Sequence, residues 1–326
     1  MSRRKPVSWF LTEGGRKFSF AVIATTGIGC TFARFLPNTL LLEKYKNTVH
    51  YYSNGKPVEL TQELTDRCSK CLDILKMPDF QRKLIAPFRV FGFDLFHAGS
   101  TFSKYGVAVG IPVNFTYKSL EDLEKDDILV NQEKIDWTSE TGQKLADSLI
   151  LPEKVQQFAI CREILMAWNN KVIYESTYPF ASVFFAYTLS QHLNTKMNLY
   201  KAPTFFRAFL YAIVGSFGLG MYFLMKDMTE VHFETKADKT LCELGPEFVE
   251  SGVIFYDKLL KRNQALRELM GREGQNKYSV LGNENFGLRQ PRLSLVHRKQ
   301  FFEEKLKELQ NNGSEDQMTS IEQEEK

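Results

Sequence analysis

The sequence predicts an α+β membrane protein: two or three transmembrane helices, a soluble region mixing helices with a small sheet, and a C-terminal helical segment. Three observations predict it. Apolar residues gather into blocks at 18–36, 172–193 and 204–225. Two stretches between 84 and 117 are rich in Val, Ile and Phe and punctuated by glycine, as short strands are. Residues 59–76, 139–168 and 237–271 read as helices, the first and last with apolar residues at steps of three and four.

Residues 1–17 form a basic N-terminal segment, with Arg3, Arg4, Lys5, Arg16 and Lys17 against the single acid Glu13. An Arg-rich, acid-poor start serves as a mitochondrial targeting segment or as the positive flank of a following span, and the two roles are compatible. Residues 18–36 carry one charge, Arg34, near the end. At ~1.5 Å per residue they cover roughly 28 Å, about the hydrocarbon thickness, and Pro37 stops the helix. The run is long for a secretory signal and has no A-x-A cleavage site.

Residues 37–171 read as a soluble α+β region. Leu60, Leu64, Cys68, Cys71, Leu72 and Leu75 line one face of a helix, strands follow at 84–96 and 104–117, and Ser139 and Pro152 start two further helices. Residues 172–193 and 204–225 then form an antiparallel hairpin. The first is the weaker span, because Glu175 and Pro179 sit in its opening turns. The second carries Gly215, Gly218 and Gly220, a small-residue face for helix packing or for a partner. Glu175 and Arg207 lie at opposite ends of the hairpin, so they do not pair, and both are expected to snorkel. Lys196 and Lys201 place the turn on the side of the N-terminus, with both soluble regions opposite. Residues 226–300 read as a soluble helical region with Phe255 and Tyr256 in its apolar stripe. Residues 301–326, with eight acids and three lysines, read as a helical stub passing into an acidic disordered tail.

A net charge of +3, from 42 basic and 39 acidic residues among 326, is too balanced to draw the chain onto nucleic acid. The expected surroundings are the lipid bilayer. Five scattered cysteines argue against a secreted disulfide framework. Cys68-Ser-Lys-Cys71 has the spacing of a soft-metal or redox pair, but it lies on an apolar helix face, which favours a buried role. Glu163 sits where an H-E-x-x-H zinc protease carries its glutamate, with Arg162 and Met166 in the two histidine positions and an acidic helix, Glu247 and Glu250, after the apolar hairpin. That order of elements is similar to membrane zinc peptidases, yet Arg and Met bind no zinc in place of His. No phosphate-binding or nucleophile-elbow motif occurs.

Residues 250–286 read ESGVIFYDKLLKRNQALRELMGREGQNKYSVLGNENF. They resemble the transmembrane protein 177 family in G-V-x-F-Y-x-K-L-L, N-x-A-L-R-x-L and G-x-x-G-x-x-x-Y with a following G-N. VGIP at 109–112, the frame of Asp136, Trp137, Ser139, Gly142 and Leu145, and QFAICRE at 157–163 extend the resemblance over most of residues 100–290. It implies a multi-pass protein of the mitochondrial inner membrane. Its partners would be newly made cytochrome c oxidase subunit 2 and that subunit's assembly chaperone, stabilised during oxidase assembly. The implied role is a scaffold, not an enzyme, with no cofactor, metal or catalytic residue. The alternatives are an inactive relative of membrane zinc peptidases and a thiol-based redox or copper handler.

Overall fold

The computed structural model describes residues 9–123, 125 and 128–324, with side chains through residue 311. Its helices begin with α1 (Glu13–Phe35), α2 (Leu42–Val49), α3 (Gln62–Ile74), α4 (Asp79–Arg82), α5 (Glu140–Leu149) and α6 (Glu153–Ala167). They continue with α7 (Lys171–Lys196), α8 (Thr204–Glu243), α9 (Pro246–Leu269), α10 (Gly271–Lys277) and α11 (Leu295–Glu324). Strands β1 (Tyr52–Ser53), β2 (Lys56–Pro57), β3 (Ile85–Val90), β4 (Phe96–Gly99), β5 (Val107–Pro112), β6 (Leu129–Val130) and β7 (Glu133–Lys134) lie between α2 and α5. The chain divides into two compact units.

Unit 1, Met1–Leu41 with Asn170–Glu230, takes its helices from α1, α7 and the first part of α8. Residues 1–8 of the basic segment lie outside the described residues. Thr12 caps α1, its hydroxyl accepting from the Gly15 N–H at 3.2 Å. Phe20 packs near Tyr187, Gly27 meets Phe180 and Arg34 meets Glu175, so numbers rise along α1 as they fall along α7. Asn194 donates to Tyr211, Phe185 faces Phe217 and Tyr178 bonds Thr229, which sets α8 antiparallel to α7. The helices Glu13–Asn38 and Thr204–Glu243 are long and apolar enough to cross a membrane. Phe20, Phe32, Phe209, Phe217 and Leu224 are exposed on them, a surface suited to lipid rather than water.

Glu175 departs from its expected place at the interface. It is 3 % exposed and ion-paired with Arg34, whose Nε donates at 3.1 Å. The hairpin alone offered it only the distant Arg207; the end of α1 brings a nearer cation, and pairing removes the need to reach water. Arg207 lies 5.8 Å over the Tyr200 ring.

Unit 2, Leu42–Asn169 with Val231–Lys326, is built around β5 and α6. All six residues of β5 are buried, and the strand pairs parallel with β3 and antiparallel with β4, which gives the order β3-β5-β4. The stretch expected as one strand over 84–96 is two, because the chain turns through 91–95. α6 is enclosed on nearly every side: Phe158, Ile160 and Cys161 are 0 % exposed, so it shows no one-sided stripe. α3 turns Leu64, Cys68 and Cys71 into the same core.

Residues from 301 were expected to form a helical stub passing into a tail; the backbone of α11 runs Leu295–Glu324. Phe302 anchors it. The ring is fully buried, 5.3 Å from Phe158 and 5.7 Å from Tyr256. It rests on Gly252, where a Cβ would come within 2.5 Å of its Cδ1. Truncating one buried aromatic to Ala costs about 3–5 kcal/mol.

Candidate functional site

The charged residues of unit 2 that composition would place on its surface instead gather inside it. α6 supplies Arg162 and Glu163, β4 supplies His97, the last turns of α8 supply Glu234 and Asp238, α9 supplies Tyr256 and α11 supplies Arg298. His97 Nδ1 lies 2.5 Å from Glu163 Oε1. Arg162 donates to Glu163 at 3.4 Å and to Glu234 at 3.3 Å. Arg298 forks onto Asp238 through Nε at 2.7 Å and Nη2 at 2.6 Å, and its Nη1 donates to Glu234 at 3.0 Å. Tyr256 donates its hydroxyl to Asp238 at 2.9 Å, and the Arg298 guanidinium stacks 4.8 Å over the Tyr256 ring. The main chain joins in, since the Leu293 N–H donates to Glu234 at 2.8 Å.

Glu163, Glu234, Asp238 and Arg298 are each at most 5 % exposed, so the cluster is stable only because opposite charges and hydrogen bonds meet. Burial and the like charge of Arg298 pull the Arg162 guanidinium down, but Tyr256, Glu163 and Glu234 outweigh them and raise it. Arg298 is likewise raised against its burial by Tyr256, Asp238 and Glu234. Burial pushes the Tyr256 phenol well above its ordinary range, although Arg298 opposes it. The cluster borders a cavity of about 780 Å³, lined also by Asn114, Leu259, Arg262 and Asn263.

The sequence-selected residues fall in different places. Glu163 is in the cluster. Glu247 and Glu250 are not, for Glu247 pairs with Lys154 on the exposed surface and Glu250 is exposed. The carboxylate that meets Arg162 across the core comes earlier, from Glu234. Among the described residues no group of three or more His, Cys, Asp and Glu side chains is placed to hold a metal ion. Cys68 and Cys71 are buried in the core. Burial and the neighbouring Cys71 push the Cys68 thiol up to about 12; Cys161 and burial push Cys71 higher still, so both stay protonated thiols at neutral pH.

At about 100° per residue, Gly215 and Gly218 lie on neighbouring sides of α8 and Gly220 is turned away from them. Gly218 is buried against α7, where a Cβ would sit 3.0 Å from Ala186 Cβ and 3.3 Å from the Ser182 carbonyl oxygen. Gly215 and Gly220 open onto free space. Gly215 and Gly218 border a groove of about 920 Å³ along α1, α7 and α8, with Cys30, Ser182, Ala186 and Tyr222 on its walls.

Sequence reasoning missed His97, Glu234, Asp238 and Arg298. A signal for two of them was a pair of acids at i and i+4, Glu234 and Asp238, on the polar continuation of the helix after Met225.

The family model described as Transmembrane protein 177 matches residues 10–311. Similar curated proteins are Transmembrane protein 177 of Xenopus laevis, 26 % identical over 285 residues, covering 85 % of this chain and 90 % of that protein. The Rattus norvegicus protein of the same name is 30 % identical over 235 residues, 72 % of this chain and 74 % of its own. The Homo sapiens protein is 27 % identical over 236 residues, with the same two shares. No solved structure matches the chain.

Proposed function

The chain belongs to the transmembrane protein 177 family, and from that membership we propose that it is a multi-pass scaffold of the mitochondrial inner membrane. It stabilises newly made cytochrome c oxidase subunit 2 and its membrane chaperone during oxidase assembly. The observation that carries this reading is the groove of unit 1. Small residues line it on helices whose outer faces suit lipid, and small residues let the backbone of another transmembrane helix come close. The Arg-rich start supports delivery to mitochondria.

Pulse-labelling of mitochondrial translation tests the proposal. The chain should resist carbonate extraction and co-purify labelled subunit 2 together with the chaperone, and its depletion should shorten the lifetime of that subunit. Release by carbonate, or an unchanged subunit 2 lifetime after depletion, would refute it.

The second reading, resting on the order of elements in the sequence, is an inert relative of the membrane zinc peptidases. Glu163 on α6 and Glu234 on α8 approach one cavity, and guanidinium groups stand against both carboxylates. Arg has no lone pair to offer a metal. Elemental analysis of the purified chain tests this reading, and a stoichiometric metal ion would overturn it.

A further inference from the structure

Unit 1 carries uncompensated positive charge at one end. The start of α1, the end of α7 and the start of α8 meet there, as the contacts of Phe20 with Tyr187 and of Asn194 with Tyr211 fix, and they bring Arg16, Lys17, Lys196, Lys201 and Arg207 to that end. The acid found with them, Glu13, is taken by Lys17 at 2.7 Å. Among the described residues Arg16 and Arg207 have no carboxylate partner. Both charges act on Tyr200, and the Arg207 guanidinium lies over its ring. Arg207 Nε is buried, while its two Nη groups stay accessible. Tyr211 is exposed, and its hydroxyl accepts from Asn194 at 3.0 Å and has no acceptor for its own proton among the described residues. Accessible donors and positive charges of this kind are satisfied by an anion.

The same end carries the marks of headgroup depth. Trp9, Phe10, Phe205 and Phe206 are exposed there, beside the starts of the two helices long enough to cross a membrane, and aromatic rings mixed with Lys and Arg mark a bilayer surface. The groove of about 920 Å³ opens at this end: Gln191, Tyr200 and Tyr211 line its mouth, and Ile23, Val183 and Leu219 its length. On α1 it runs from Ser19 to Arg34, about 22 Å at ~1.5 Å per residue, against roughly 15 Å for half of a ~30 Å hydrocarbon core. Arg34, at the far end, is already paired with Glu175. A cationic mouth on an apolar trough between membrane helices matches an anionic head with a hydrocarbon tail, whereas an apolar helix would bring no anion to the mouth.

We propose that this groove binds one anionic phospholipid, its phosphate held by Arg16, Arg207 and the Tyr211 hydroxyl and one acyl chain laid along Ile23, Val183 and Leu219. The tail covers the trough in the chain without a client, and a client helix displaces it. The lipid is read on the chain purified alone, so this proposal and the client proposed above fail separately.

Native mass spectrometry of the full-length chain, stripped of lipid in detergent, tests it with dioleoyl phosphatidylglycerol, dioleoyl phosphatidylcholine and inorganic phosphate as probes. The anionic lipid should bind roughly tenfold more tightly than the zwitterionic one, and inorganic phosphate in large excess should not displace it. Arg16→Gln with Arg207→Gln should weaken the anionic lipid roughly thirtyfold. Ile23→Trp fills the trough and leaves every charge in place; it should weaken the same lipid by a similar factor, with Val183→Phe as a second way of filling it. Thermal unfolding of the variants in detergent should stay within a few degrees of the native chain. The proposal is overturned if the two lipids bind alike, if inorganic phosphate displaces the lipid, or if the arginine variant binds as the native chain does. It is equally overturned if both filling variants bind as the native chain does, because charge alone would then gather headgroups without the groove.

Discussion

Replacing Arg298 by Met tests whether the buried charge cluster holds unit 2 together. The substitution keeps most of the side chain's apolar bulk and removes the guanidinium, which makes two hydrogen bonds to Asp238 and one to Glu234. All three side chains are 3–4 % exposed, so water does not replace the lost donors. Glu234 keeps Arg162 and the Leu293 N–H; among the described residues Asp238 keeps only the Tyr256 hydroxyl. Removing one partner of a buried ion pair costs about 3–5 kcal/mol, because a charge is left uncompensated. At about 2–4 °C per kcal/mol for a domain of this size class, unfolding should fall by roughly 6–20 °C. The assay is thermal unfolding of the full chain in detergent, followed by near-ultraviolet circular dichroism. Arg298→Met combined with Asp238→Asn should recover about half the loss, since the amide still accepts from Tyr256 and carries no charge. A drop under 3 °C for the single variant, or a double variant no more stable than the single, would refute the assignment.

Features carried by uninterrupted apolarity or by a regular period were legible in the sequence. The helices at 18–36 and 204–225, the face of α3 with Leu64, Cys68 and Cys71, and the place of Glu163 on a helix after a strand all follow from local pattern. Boundaries set by composition were not. α8 continues to Glu243 although the residues after Met225 turn polar. A helix needs only its backbone period to continue, and a change of side chains at a membrane exit mimics an end. α11 shows the same effect, since Phe302, with Leu295, Phe301 and Leu306 beside it, packs on the core from a segment whose average composition favours disorder. The charge cluster was hidden for a different reason. Arg298 and Glu234 are 64 residues apart, and an ion pair between distant elements leaves no periodicity in either. The paired Glu175 belongs here too, because its partner Arg34 lies 141 residues earlier. Within the glycine trio, helical rotation keeps Gly215 and Gly218 on neighbouring sides of α8 and turns Gly220 away.

Two further outcomes follow from the packing. Cys68 keeps its proton in the fold up to about 12 and loses it from 9.0 upward once unfolded. This group therefore weakens the fold only above pH 9, by about 1.4 kcal/mol per unit up to pH 12. Denaturant unfolding across that range should show a steep alkaline decline that Cys68→Ala makes shallower, and parallel declines would contradict a buried thiol. The other outcome concerns α8, where Gly218 and its two neighbouring glycines are separable by experiment. A Leu at 218 must displace Ala186 or the Ser182 backbone, an overpacking worth about 1–3 kcal/mol, while a Cβ at 215 or 220 meets nothing within 4 Å. Gly218→Leu should therefore lower the protease resistance of the α7–α8 hairpin in proteoliposomes, and Gly215→Leu and Gly220→Leu should leave it at the native level. Equal resistance in all three would mean that α7 and α8 do not pack through Gly218. With the expected split, lost co-purification in Gly218→Leu reports only a loosened hairpin, and the two open glycines become the positions where such a loss identifies contact with another helix.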